Sequence, residues 1–335
     1  MAKIAINGLG RIGRAAFKIV RDTPELELVA ANDIVPLDNL AYLLRYDTVY
    51  GRYGQSVAVD GQNLVVDGTP YRIFDERDPA QLPWGDLGID IVLECTGVFT
   101  RRDDLEKHLQ AGAKYVILSA PSKSEDVTTI VHGVNQPGDG QLQVISCASC
   151  TTNCIAPVVE VMGRRIGIQK AIMTTIHAYT SSQAIVDAPS KKVRRGRAAA
   201  ANFVPTSTGA AIATTKALPQ YAGKFDGVAV RGPVTVGSLA DIIFVTERDT
   251  SVEEVQAIFK EEAESARYQS VLGVSADPIV SSDIIGDPRA SVVDLEMTQV
   301  VDGNLVKVMS WYDNEWGYTN QLVREAIRIS AAPTL

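Results

Sequence analysis

Apolar and polar positions follow two rhythms along this chain, and the change falls near its middle. In the first half, short apolar runs alternate with segments of helical period. Residues 3–7 read as a strand, 15–21 as a helix, 26–31 as a strand and 37–46 as a helix. Between residues 55 and 74 the period shortens. Val57, Val59, Leu64, Val65 and Val66 are interrupted by Asp60-Gly61 and Asp67-Gly68, which predicts a β-hairpin excursion. Strands are expected at 89–95, 115–118, 128–131 and 142–145, with a helix over 101–111. Such alternation implies a mainly parallel, doubly wound sheet. A helical run over 154–162 follows. Beyond it, longer strands at 171–176, 227–231, 238–246, 292–300 and 305–312 are crossed by few helices, at 252–266 and 318–329. That pattern implies a largely antiparallel sheet covered on one face. Leu322, Val323, Ala326 and Ile327 share one face of the last helix, which is expected to pack back onto the first domain.

The expected fold class is α/β: a doubly wound parallel sheet plus an α+β domain. The 335 residues favour two domains. We expect one over 1–149, completed by the C-terminal helix 315–335, and a second over 150–314. Apolar residues make up 46% and charged residues 21%, enough for a large core. The net charge of −8 argues against nucleic acid or an anionic membrane as the main partner. No stretch reads as a signal peptide or a bilayer span. Four cysteines are not a disulfide framework in a chain of this size, and no Cys/His spacing suggests zinc. We therefore expect no metal and a reducing, cytoplasmic setting.

Chemistry enters at three places. The strand at 3–7 runs into Gly8-Leu9-Gly10-Arg11-Ile12-Gly13-Arg14 and then a helix, the context that a Rossmann dinucleotide fingerprint requires. Gly8 makes the tight turn, Gly10 lets backbone approach a pyrophosphate, and Gly13 lets helix and strand pack closely. Asp33, at the end of the next strand, stands at the interval expected of a ribose 2′-OH acceptor. Thr96 and Ser119 follow later strands and fall on the same side of the sheet. The second place is Ser146-Cys147-Ala148-Ser149-Cys150-Thr151-Thr152-Asn153-Cys154, at a strand-to-helix junction. Helix N–H groups and the dipole there favour an anion, so Cys150 is expected to have a lowered pKa and to act as a nucleophile. His177, at a strand end, is its candidate base; His108 and His132 read as structural or surface residues. The third is a set of anion-binding features: the basic run 191–197, hydroxyls at 203–210 ahead of a helix, and Arg231 alone at the end of a strand.

Five motifs in order, 7–14, 149–153, 177–180, 208–211 and 311–315, resemble the glyceraldehyde-3-phosphate dehydrogenase family, over essentially the whole chain. The resemblance implies an NAD-binding Rossmann domain, a catalytic domain and a homotetramer. It also implies oxidative phosphorylation of glyceraldehyde 3-phosphate to 1,3-bisphosphoglycerate, in glycolysis, gluconeogenesis or the Calvin cycle. Cys150 matches the nucleophile and His177 the base. Arg11 and Ile12 match backbone contacts to the pyrophosphate, and Asp33 the ribose ligand. Arg77 and Ser119 match further cofactor contacts, and Asn314 the residue that orients the nicotinamide amide. Ser149, Thr151, Thr180, Thr208, Gly209 and Arg231 match the phosphate sites, together with Arg195 or, in an ambiguous register, Arg194. The implied chemistry is thiolate addition to the aldehyde, hydride loss to give a thioester, and attack by inorganic phosphate. Ser182 and Gly232 depart from the usual pattern. Ala188 leaves room for weak NADP use beside NAD. Alternatives are erythrose-4-phosphate dehydrogenase and a non-catalytic NAD-dependent binding protein.

Overall fold

The structure, a computed structural model, describes residues 1–137 and 142–331, and these divide into two compact units. The first holds Met1–Ile130, the described part of Pro137–Ala148, and residues 322–331. In order it contains β1 (Ala2–Asn7), α1 (Arg11–Arg21), β2 (Leu26–Asn32), α2 (Leu37–Arg45), β3 (Tyr46–Asp47), β4 (Gly51–Arg52), β5 (Val57–Asp60), β6 (Asn63–Val66) and β7 (Thr69–Phe74). There follow α3 (Trp84–Leu87), β8 (Ile91–Glu94), α4 (Arg102–Gln110), β9 (Tyr115–Leu118), β10 (Thr128–Thr129) and β11 (Val144–Ser146).

Nine strands form one sheet in the order β10-β11-β9-β8-β1-β2-β7-β6-β5. From β10 to β7 the pairing is parallel, and the hairpin excursion β5-β6-β7 adds an antiparallel edge. The central strands read as continuous apolar runs because both faces are covered. Ile4, Ile6, Phe17, Val20, Leu93 and Ile117 pack on one face, joined there by Leu322, Val323 and Ala326. Ala5, Ala30, Trp84, Ile89 and Val92 pack on the other. The parallel register brings Asn7, Asn32 and Glu94 side by side at the strands' carboxyl ends.

Two expectations shift. The helix placed at 15–21 starts at Arg11, because the glycine motif is itself the first turn, with Gly10 as cap. The strand expected at 128–131 is only Thr128–Thr129, although Ile130 and Val131 are buried. An apolar run guarantees burial and not a ladder.

The second unit holds Val131–Gln136 and Ser149–Gln321. Its elements are α5 (Cys150–Arg165), β12 (Ile168–Ala178), β13 (Val204–Ser207), α6 (Ala210–Ala217), β14 (Phe225–Gly232), β15 (Ser238–Thr246), α7 (Val252–Glu264), β16 (Leu272–Ser275), β17 (Ser291–Val301) and β18 (Leu305–Tyr312). The last helix, α8 (Trp316–Ala331), starts in this unit and ends in the first. Seven strands pair in the order β13-β14-β12-β15-β18-β17-β16. All pairs are antiparallel except β12–β14 and β16–β17. Along β15 every second residue is buried, the period-2 signature of a sheet with one covered face. Val158, Val159 and Met162 of α5 pack with Ile242, Phe244 and Val308 of the sheet. The helix expected at 154–162 begins four residues earlier, at Cys150, because Ser149 supplies the cap. No helix among the described residues is long and apolar enough to cross a membrane.

Candidate active site

In the first unit, a pocket of about 410 Å³ opens at the carboxyl ends of β1, β2 and β8. Gly8, Gly10, Asp33, Arg77 and Thr96 line it, with Asn7, Asn32, Glu76 and Cys95 beside them. Two glycines make this shape possible. Gly8 has φ +91°, and a Cβ there would lie 2.7 Å from Thr96 N; a Cβ on Gly13 would lie 1.8 Å from Gly8 O. Gly10 has open space where its side chain would be. Its lack of a side chain leaves α1 with no side-chain cap to compete for the first-turn N–H groups. Asp33 accepts the Leu9 N–H at 2.6 Å and the Val35 N–H at 2.9 Å, so its carboxylate also pins the glycine turn. A backbone cradle at a helix N-terminus with a carboxylate at the next strand end fits a dinucleotide. Arg11 begins α1 and its guanidinium pairs with Asp47. Ile12 and Ser119 are not part of the pocket lining; the Ser119 N–H donates to Glu94 O at 3.0 Å. Burial pushes the Cys95 thiol up to about 12, which makes it inert.

In the second unit, Cys150 is the first residue of α5. Ser149 caps the helix, its Oγ accepting the Thr152 N–H at 3.2 Å. Sγ of Cys150 lies 3.3 Å from Nε2 of His177. The other ring nitrogen, Nδ1, lies 2.7 Å from Ala178 O. A carbonyl can only accept, so with its proton on Nδ1 the ring donates to Ala178 O and presents the Nε2 lone pair to the thiol, whereas the Arg231 guanidinium, which can only donate, favours the opposite tautomer from its place 2.8 Å from Nδ1. His177 is the last residue but one of β12, at the strand end as expected, and stands directly opposite Arg231 of β14. Nη1 of Arg231 is 2.8 Å from His177 Nδ1 and donates to Ala178 O at 2.9 Å. Nε of Arg231 is buried without a partner.

The electrostatics correct one expectation. Burial pushes the Cys150 thiol up rather than down, and Arg231 and hydrogen bonds from Thr151 oppose that push only in part. Cys150 keeps some exposure, so water relieves some of it. Burial, with Arg231 and Arg195 behind it, pulls His177 down to about 3. Each charge alone is disfavoured here. Moving the thiol proton to Nε2 creates both at once, and each then compensates the other. Burial pushes Cys154 up to about 12 and Cys147 well above the usual thiol value. Cys150 is thus the cysteine that faces an imidazole nitrogen.

Around this pair, Arg195 donates to Thr206 Oγ1 at 3.0 Å and approaches Ser182 Oγ at 3.4 Å. Ser182 in turn bonds Thr180 Oγ1 at 2.9 Å. Arg194 lines a surface groove with Lys192, Thr206 and Ser207. Among the described residues, neither Arg195 nor Arg231 pairs with a carboxylate. Thr208 and Gly209 lie at the start of α6, where Thr208 Oγ1 accepts the Ala210 N–H at 3.2 Å and Gly209 is the cap. Asn314 Oδ1 accepts from Ser238 Oγ at 2.9 Å and from the Gly237 N–H at 3.2 Å.

Sequence reasoning assigned no role to Tyr312. Its hydroxyl bridges Thr151 Oγ1 at 2.9 Å and Thr175 Oγ1 at 2.8 Å, and its ring stands edge-on to His177. A tyrosine at a buried strand position, needing a partner for its hydroxyl, was the available signal.

Comparison with known proteins accords with this geometry. Residues 2–102 match the family model of the glyceraldehyde 3-phosphate dehydrogenase NAD binding domain, and residues 149–314 match that of the C-terminal domain. A protein of Streptomyces avermitilis named glyceraldehyde-3-phosphate dehydrogenase 2 is 49% identical over 324 residues, 96% of either chain. Glyceraldehyde-3-phosphate dehydrogenase 1 of Bacillus subtilis is 48% identical over 330 residues, 98% of either chain. The Zymomonas mobilis glyceraldehyde-3-phosphate dehydrogenase is 44% identical over 331 residues, again 98% of either chain. With both domains matched and almost half of its residues shared over nearly its whole length, the chain belongs to the glyceraldehyde-3-phosphate dehydrogenase family.

Proposed function

We propose that this chain oxidises glyceraldehyde 3-phosphate with NAD and inorganic phosphate, giving 1,3-bisphosphoglycerate, NADH and a proton. The observation that carries the reading is the Cys150 thiol at a helix N-terminus, 3.3 Å from His177 Nε2, beside two arginines without carboxylate partners. Residues 1–149 with the C-terminal segment 315–335 form the NAD-binding domain of this reading, and 150–314 the catalytic domain. The Gly8, Gly10 and Gly13 turn, the Arg11 and Ile12 N–H groups, Asp33, Arg77, Thr96 and Ser119 would hold NAD, with Asn314 orienting the nicotinamide amide. When bound, NAD supplies the acceptor for the hydride that the substrate carbon loses.

The residues of this chain do the rest. Sγ of Cys150 bonds to the aldehyde carbon as its proton passes to His177 Nε2, which then returns it to the carbonyl oxygen to give the neutral thiohemiacetal and a free imidazole. N–H groups at the start of α5 stabilise the oxyanion. His177 takes the hydroxyl proton of the resulting thiohemiacetal as that carbon is oxidised, leaving a thioester on Cys150. Phosphate oxygen then attacks the thioester carbon, the C–S bond breaks, and the thiolate departs as the acyl phosphate forms. Two anionic groups must be held at once. Arg231 and Arg195, with Ser149, Thr151, Thr180, Thr208 and Gly209, are suited to that task. The orphaned Nε of Arg231 is a donor awaiting such a ligand.

A cytoplasmic homotetramer completes the reading. Ile185 and Val186, 85% and 72% exposed, support burial of this segment by another copy of the chain. The deciding experiment is NADH formation from glyceraldehyde 3-phosphate with and without phosphate. Turnover is expected only with phosphate present. Equal turnover without it would mean a hydrolytic dehydrogenase.

A further inference from the structure

Behind the dinucleotide pocket, the ends of adjacent strands carry a line of polar side chains that the proposed chemistry does not use. Glu94, at the end of β8, and His108, on α4, are both fully buried. Trp84 Nε1 lies 3.0 Å from His108 Nδ1. An indole N–H only donates, so Nδ1 accepts, and the proton of the neutral ring sits on Nε2. From there it donates to Glu94 Oε2 at 3.2 Å. Asn7 Nδ2 donates to the same oxygen at 2.6 Å. The other oxygen, Oε1, accepts from the Thr96 N–H at 2.8 Å and from the Thr96 hydroxyl. Four donors meet the roughly four lone-pair sites of one carboxylate. The line continues sideways. Asn32 Nδ2 donates to Asn7 Oδ1 at 2.7 Å, and the Glu76 backbone holds Asn32 by its N–H at 2.8 Å and its carbonyl at 2.9 Å.

We propose that Glu94 and His108 are positioning residues for the dinucleotide: they hold the Thr96 turn and the Asn7–Gly8 turn that floor its pocket. Asn7, Gly8 and Thr96 all line that pocket, and Gly8 approaches Thr96 too closely for any side chain. The proposal rests on the NAD reading of the site.

The set admits acceptors only at position 94, and three of its four donors are locked. The Thr96 N–H is backbone. Trp84 prevents His108 from moving its proton to Nδ1. Asn7 cannot flip its amide, because Asn32 is fixed by the Glu76 backbone. In Glu94→Gln, either orientation of the amide turns an N–H toward a donor. An unsatisfied buried group of this kind is costly. Thr96, in a turn at the pocket surface, is the member free to give way.

Calorimetric titration of the protein with NAD tests this. Glu94→Gln is expected to raise the dissociation constant about tenfold or more, and to raise KM for NAD by more than it lowers kcat. His108→Gln, which retains an N–H able to reach Glu94, should bind NAD more tightly than His108→Leu. If these variants bind NAD within twofold of the unmodified protein while melting at lower temperature, the cluster is only structural and the proposal falls. Nitrogen-15 spectra of the unmodified protein decide the matter even if the variants do not fold, since the chain has only three histidines to assign. His108 should appear as the neutral Nε2–H tautomer; an Nδ1–H ring or an imidazolium overturns the proposal. Failure of the unmodified protein to bind NAD would strike the dinucleotide reading instead, and leave the His108 tautomer to judge the cluster.

Discussion

Replacing His177 with asparagine removes the imidazole that faces Cys150 at 3.3 Å and keeps an amide able to bond Ala178 O. Two magnitudes bound the effect. General-base assistance is worth about 10²–10⁴-fold, or roughly 3–5 kcal/mol. The attraction between a thiolate and an imidazolium 3.3 Å apart is about 5 kcal/mol at an effective dielectric of 20. Cys150 keeps some exposure, and solvent trims that figure. We therefore expect kcat/KM to fall about 10²–10³-fold. The pH dependence should change as well. Burial already pushes the Cys150 thiol up, and without Nε2 its proton has only water to go to. Below the thiol pKa each pH unit raises the thiolate fraction tenfold, so alkylation by iodoacetamide should climb about tenfold per unit through neutral pH in His177→Asn. In the unmodified protein the pair titrates as a unit, and the profile is flatter. Stopped-flow NADH formation and alkylation rates across pH 5–9 provide the measurement. A variant that keeps its rate within threefold, with an unchanged profile, would show that His177 is not the base.

Arg231→Gln removes a cation that faces both His177 and the thiol; a charge-assisted hydrogen bond of about 1.5–3 kcal/mol predicts KM for phosphate or the triose phosphate raised roughly 10–100-fold. Steady-state kinetics in each substrate check it, and unchanged KM values would place the anions elsewhere. Asp33→Ala should weaken NAD binding, because the Leu9 turn loses its anchor, and should lower the kcat/KM preference for NAD over NADP at least about tenfold by removing a like charge from the 2′-phosphate. Ser149→Ala deletes the cap of α5, a loss of about 1 kcal/mol that should appear as a melting temperature lower by about 2–4 °C.

Local features were legible in the chain itself. The glycine turn is written in consecutive residues, because the steric demands on Gly8 and Gly13 act within one strand–turn–helix unit. Cys150 at a helix N-terminus was readable for the same reason, since Ser149 caps the helix through a neighbour three residues on. The alternating burial of β15 and the apolar run of β8 are likewise periodic signals. What the sequence could not contain was partnership at a distance. His177 meets Arg231, 54 positions further along the chain, only because β12 and β14 pair in parallel in one particular register. Arg195 and Arg194 differ in their surroundings only through the turn Val193–Gly196, where Arg195 meets Thr206 Oγ1 and Arg194 lines a surface groove. The direction of the thiol shift also reversed, because a helix N-terminus is visible in sequence but the burial opposing it is not. Glu94 and His108 look unremarkable in the chain, since a polar residue after an apolar run usually faces water. Only the packed sheet surrounds Glu94 with four donors. Turn geometry, caps and periodicity are set by residues a few positions apart, whereas strand register and the solvation of each charge are set by the whole packed core. The sequence therefore carries the parts of this site legibly, and tertiary structure decides which of them meet.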